Sequence, residues 1–99
     1  MKYRNVKTAG YDSKKEAKRG AELKLLLRAG EISDLREQVR FEVIPKNPPE
    51  RAAHYIADFV YIDKDGLQTV EDVKGFKTAD YILKRKLMLH VHGIAVIEI

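Results

Sequence analysis

The chain has 99 residues, 44% of them hydrophobic and 34% charged, with 19 Lys+Arg against 15 Asp+Glu and a formal net charge of +4. That is enough for one core and too little for two, since domains run from roughly 50 to 200 residues, so residues 1–99 read as a single domain whose basic surface suits an anionic partner such as nucleic acid. The absence of cysteine excludes disulfides, thiolate metal sites and cysteine nucleophiles, so any metal must sit on oxygen or histidine; no apolar run nears the ~18 residues that cross a bilayer, and "MKYRNVKTAG" offers no signal sequence, which makes the cytoplasm the expected location and a membrane partner unexpected.

Residues 1–12, "MKYRNVKTAGYD", form a basic N-terminal segment without periodicity, in which Lys2, Arg4 and Lys7 are open either to a phosphate backbone or to solvent. The next stretch, "DSKKEAKRGAELKLLLRAG", predicts a helix with both ends marked: Ser13 as N-cap, Glu16 as its capping-box partner and Gly30 as the stop. Its inward stripe is expected at Glu16, Gly20, Leu23, Leu26 and Leu27. "EISDLRE" reads as a link. In "QVRFEVIP", Val39, Phe41 and Val43 alternate with Arg40 and Glu42, which is strand periodicity ended by Pro45.

The prolines of "KNPPER" mark a loop, and "AHYIADFVYI" is a second strand rich in aromatic and branched residues. "DKDG" is a hairpin turn into a third strand, "LQTVEDVK". "TADYILKRKLMLHVHG" predicts a second helix capped by Thr78 and Gly93, with Leu83, Leu87 and Val91 as its core face, before "IAVIEI" closes as a short strand. The order is helix, three strands, helix, strand. Short connections imply an antiparallel meander, and the helical crossover implies a parallel last strand, so the expected class is α/β (α+β) with a mixed sheet flanked by helices.

The chemistry concentrates in "TVEDVKGFK". Residues two apart in a strand share a face, which places Asp72 and Lys74 together and turns Glu71 away. Across the turn, Asp58 falls opposite Glu71 or Asp72, so two carboxylates and one ammonium converge. Neighbouring carboxylates raise each other's pKa unless a cation separates them, and a pair of hard oxygen ligands is what Mg²⁺ accepts while leaving room for a phosphate. A lysine beside them can stabilise charge on a phosphoryl transition state, so the pattern points to metal-assisted phosphodiester hydrolysis. Glu16 is a third candidate acid on the helix face turned to the sheet, and the capping-box reading of the same residue stays open. His90 and His92, two apart on a helix, point in different directions and read as structural or solvent-facing.

This arrangement resembles the PD-(D/E)XK nuclease superfamily, whose core is helix, three-strand meander, helix, strand, with an acid on the second strand and a D/E-x-K triplet on the third, here Asp58 and Asp72-Val73-Lys74. More narrowly, "YDSKKEAKRGAEL", "GEISDL", "YIADFVY" and "VEDVKGFKTADYILKRKL" resemble small phage and prophage proteins assigned to it. The resemblance implies a restriction-endonuclease-like core, Mg²⁺ or Mn²⁺ held by Asp58, Asp72 and the Val73 carbonyl, Lys74 as the catalytic lysine, and Glu16 as an added helix glutamate. Ala57 stands where the motif's name has proline, and Gly20 where a bulky residue is usual.

Its implied activity is that of a metal-dependent DNA endonuclease, structure-specific toward branched DNA or four-way junctions in phage replication or recombination. A homodimer is implied by the small surface of one core, with no small-molecule cofactor. Lys77, Thr78, Tyr81 and Lys84 follow directly from the third strand and form one candidate DNA-binding group, with Lys14, Lys15, Lys18 and Arg19 on the first helix as another; a solvated helix surface is the plainer reading of both. The alternative function is a non-catalytic nucleic-acid-binding protein that retains the nuclease fold.

Overall fold

The computed structural model describes residues 13–99, so the expectation for Lys2, Arg4 and Lys7 lies outside the described residues. The first helix, α1 (Lys14–Arg28), begins where the Ser13 hydroxyl accepts the Glu16 amide at 3.1 Å, and it ends at Ala29 with Gly30 in the left-handed region at φ 78°. Glu16, Gly20 and Leu23 are its buried residues. Leu26 and Leu27, expected to extend that stripe, are exposed. The small core under α1 is built on Leu23, Ile32, Phe59 and Tyr61, and it ends at Leu23, so the last turn runs past it.

Four strands, β1 (Ser33–Ile44), β2 (Ala53–Ile62), β3 (Gln68–Asp72) and β4 (Ile97–Glu98), form one sheet in the order β1-β2-β3-β4. The first two pairings are antiparallel and β3–β4 is parallel, the mixed α+β sheet that the connection lengths imply. β1 starts within the stretch expected to be a link. Asp34 and Gln38 take positive φ values of 52° and 53° inside it, and the register shifts between Ser33 and Arg36. These irregularities break the alternation that would have marked a strand.

The sheet also changes face partway along β1 and β2. Tyr55 and Ala57 pack in the cluster of Val43, Val60, Val70 and Met88, whereas Phe59 and Tyr61 pack with Leu23 of α1. Strict alternation would set all four on one side. In β1, Val39 and Phe41 go with the first cluster and Leu35 with the second. The switch falls between the pairs Val39–Ala57 and Glu37–Phe59, where Gln38 lies beside Asp58.

The second helix, α2 (Ala79–His92), is capped by the Thr78 hydroxyl on the Tyr81 amide at 3.1 Å and by Gly93 at φ 69°. Its core face is Tyr81 and Met88 flanked by Ile82 and Leu87; of the expected face Leu87 alone packs there, while Leu83 and Val91 are 56% and 48% exposed. A tyrosine can be buried here because its hydroxyl reaches the Glu98 carboxylate at 2.8 Å. β4 is confined to Ile97–Glu98, shorter than the expected "IAVIEI" strand. Glu98 also holds Lys77 at 2.9 Å and Arg85 at 2.8 Å, and these cations, with Tyr81, lower its pKa to about 2. Among the described residues no helix is long and apolar enough to cross a membrane.

Candidate active site

The β2–β3 register pairs Phe59 with Glu71, so one step further Asp58 comes beside Asp72. Asp58 is fixed by two donors: the Val73 amide reaches its Oδ2 at 2.9 Å and the Gln38 side chain its Oδ1 at 3.2 Å. Asp72 is fully buried, and its Oδ2 accepts the Tyr55 hydroxyl at 2.6 Å with Lys74 Nζ at 3.5 Å. Lys74 lies beyond the end of β3, and its ammonium also sits 4.6 Å from the centre of the Tyr81 ring, a favourable cation–π distance.

The other Asp72 oxygen, Oδ1, is buried without a hydrogen-bond donor. Burial raises the pKa of Asp72 to about 7, helped by the adjacent Asp58 carboxyl and opposed by Tyr55 and Lys74. The Tyr55 hydroxyl is itself raised far above its ordinary value by burial and by Asp72, so it remains a donor. A buried carboxylate beside another, with an oxygen lacking a donor, requires a proton or a cation. This all-oxygen donor set fits the preference of Mg²⁺ or Mn²⁺.

Glu16 points to the same place from α1. The residue is 7% exposed, and its Oε2 accepts Gln38 Nε2 at 3.1 Å. Gln38 thereby stands between Glu16 and Asp58. Asp58, Asp72 and Lys74 are thus brought together directly, and Glu16 through one intervening amide. Among the described residues no three Asp, Glu or His side chains are gathered closely enough to hold one ion as they stand. Val73, expected through its carbonyl, is tied to the site by its amide.

Glu71 belongs to the opposite face. Its carboxylate takes both arms of the Arg19 guanidinium, at 2.7 and 2.6 Å, and accepts the Tyr61 hydroxyl. Burial and this carboxylate push the Tyr61 pKa up to about 12, and Glu71 raises that of Arg19. Arg19, expected to meet DNA, is paired with this buried carboxylate, its own side chain 22% exposed.

The other expected DNA contacts divide. Lys14, Lys15 and Lys18 are exposed on α1. Lys77 is paired with Glu98 and Lys84 with Asp80 at 3.6 Å, Thr78 is spent on its cap, and Tyr81 is a core residue rather than a surface one. His92 caps the Glu42 carbonyl at 2.7 Å with its ring tilted on Phe41, a structural place, and His90 is exposed. Sequence reasoning missed Gln38 and Tyr55. Tyr55 could have been found as a hydroxyl three residues before Asp58 on a largely apolar strand, whereas nothing local marks a left-handed glutamine in a strand.

The model of the family described as "Protein of unknown function (DUF1064)" matches residues 1–93, and the chain belongs to that family. No curated protein and no solved structure matches it.

Proposed function

We propose that this family member is a metal-dependent DNA endonuclease with a restriction-endonuclease-like core, acting on branched DNA in phage replication or recombination. The observation that carries the reading is the juxtaposition of Asp58 and Asp72, one with a buried oxygen lacking a donor, with the Lys74 ammonium 3.5 Å from the same carboxylate. Asp58 and Asp72 would hold Mg²⁺ or Mn²⁺, with the Val73 carbonyl and Glu16 as further ligands. The chemistry such an ion would supply at these carboxylates is Lewis-acid activation of water and neutralisation of phosphoryl charge.

The chain's own groups do the remaining work. Tyr55 donates to one Asp72 oxygen and so fixes the direction of the other. The Val73 amide does the same for Asp58. Lys74, held over the Tyr81 ring, brings a positive charge to the rim of the site, where it can stabilise the developing phosphorane charge. Lys14, Lys15 and Lys18 add a basic surface for backbone phosphates, and pairing of two copies would extend it along a duplex.

The test is incubation with plasmid and with four-way junction DNA in Mg²⁺, Mn²⁺ or EDTA, alongside Asp72→Ala and Lys74→Ala. Metal-dependent cleavage by the wild type, lost in both variants with DNA binding retained, is expected. Binding without cleavage under every metal condition would make the protein the non-catalytic binder of the alternative reading, and equal cleavage by the variants would remove these residues from the chemistry.

A further inference from the structure

We propose that Gln38 is a positioning residue of this site, a clamp whose single amide group holds the carboxylates of Glu16 on α1 and Asp58 on β2 at a set separation. What the site does rests on the nuclease reading; what Gln38 does rests on its own geometry. Nε2 lies 3.1 Å from Glu16 Oε2 and 3.2 Å from Asp58 Oδ1. An ionised carboxylate only accepts, so both contacts must be made by the nitrogen, and its two hydrogens are both used. Two acids that would repel are kept together by the positive end of a neutral dipole.

The backbone shows that the side chain matters here. Gln38 is held at φ 53° within β1, a region that residues with a Cβ rarely adopt and that glycine enters freely. Asp34, the other described non-glycine residue at positive φ, is of a type that tolerates this conformation through its short polar side chain. Glutamine has no such local reach, and its amide is spent on residues from two other elements. Backbone strain kept at a position where a glycine would relieve it points to a role for the side chain.

Gln38 is exposed, so it contributes little to the core, and it sits beside Asp58 where β1 and β2 both change face. From that place one side chain can reach both the helix acid and the strand acid. Presetting the spacing of ligands before a cation arrives removes the cost of gathering them at the moment of binding.

The test compares Gln38→Gly, which removes the clamp and admits the left-handed backbone, with Gln38→Ala, which removes the clamp and keeps the strain. In EDTA, Gln38→Gly is expected to melt at or above the wild-type temperature and Gln38→Ala at or below it. Calorimetric titration should give both variants a Mn²⁺ dissociation constant about 10- to 100-fold higher than wild type, the usual effect of losing a group that orients a ligand. Cleavage kcat should fall with it while KM for DNA stays unchanged. If Gln38→Gly binds Mn²⁺ as the wild type does, or if affinity follows melting temperature rather than the amide, the positioning role is overturned. A wild type that binds Mn²⁺ but cuts no DNA refutes the nuclease reading alone, the Gln38 claim still being judged by the Mn²⁺ affinities. A wild type that cuts, with Gln38→Gly cutting equally well, refutes the positioning role alone. A wild type with no Mn²⁺ affinity refutes both.

Discussion

Replacing Asp72 by asparagine should stabilise the metal-free protein at neutral and alkaline pH while abolishing cleavage. Asparagine is nearly isosteric: its oxygen can accept the Tyr55 hydroxyl, and its amide supplies a donor where Oδ1 has none. Asp72 keeps its proton to about pH 7 in the folded chain against an ordinary value of 3.8. The native state therefore binds more protons than the unfolded one between those values, and wild-type stability falls as pH rises through that window. Below it both states are protonated and the penalty vanishes; above it the penalty is constant.

A buried polar group left without a partner costs about 1–3 kcal/mol, and more when it is charged, against a total stability of roughly 5–15 kcal/mol. A change of about 2 kcal/mol moves Tm by about 8–16 °C in a domain of this size. The assay is thermal unfolding followed by circular dichroism in EDTA at pH 4, 6 and 8. Asp72→Asn and wild type should melt close together at pH 4 and diverge upward to pH 8, the variant higher. Adding Mn²⁺ should then raise the wild type, by about 2.7 kcal/mol at a hundredfold excess over its dissociation constant, and leave the variant nearly unmoved. A variant that melts at or below wild type at pH 8 without metal would refute the claim that this carboxylate is held at a cost to the fold.

The same titration should appear in turnover: because ligation requires the ionised carboxylate, cleavage at limiting Mg²⁺ should rise with pH up to about 7 and then level, and a profile flat from pH 5 to pH 8 would count against Asp72 as a ligand. Arg19→Ala should cost about 3–5 kcal/mol in urea unfolding, since among the described residues it leaves the buried Glu71 with the Tyr61 hydroxyl alone; a loss below about 1 kcal/mol, the range of a surface pair, would show the pair to be solvent-screened. Changing Lys14, Lys15 and Lys18 together to glutamine should weaken DNA binding and reduce the slope of log K against log salt by up to about 3, whereas an unchanged slope would move the DNA to another face.

Much of the architecture could be read from local signals. Ser13, Thr78 and Gly93 mark helix ends through bonds and backbone angles that involve their own neighbours, and the structure has them in those places. The four-residue turn "DKDG" works the same way, with the Asp63 side chain accepting the amides of Asp65 and Leu67 and Gly66 at φ 82°. Connection lengths then imply an antiparallel meander and a parallel last strand, because a short turn can only reverse a chain and a helix can carry it across. Periodicity likewise separates Glu71 from Asp72, since neighbours in a strand point to opposite faces.

What periodicity could not supply was decided by partners distant in sequence. Leu83 and Val91 are more apolar than Tyr81, yet Tyr81 faces the core because Glu98 accepts its hydroxyl. Arg19 looked like one of four free cations on a helix until Glu71, 52 residues away, claimed it. The first part of β1 was hidden in "EISDLRE" because left-handed residues break alternation, and those same breaks bring Gln38 between Glu16 and Asp58. By itself the sequence determined which residues carry charge, which cap the helices and which share a strand face, because charge, capping and strand period are properties of neighbours along the chain. The tertiary structure alone decided which carboxylates meet, which cation is spent, and that an amide stands between two acids, because those depend on contacts that only the packed sheet and helices bring within hydrogen-bonding distance.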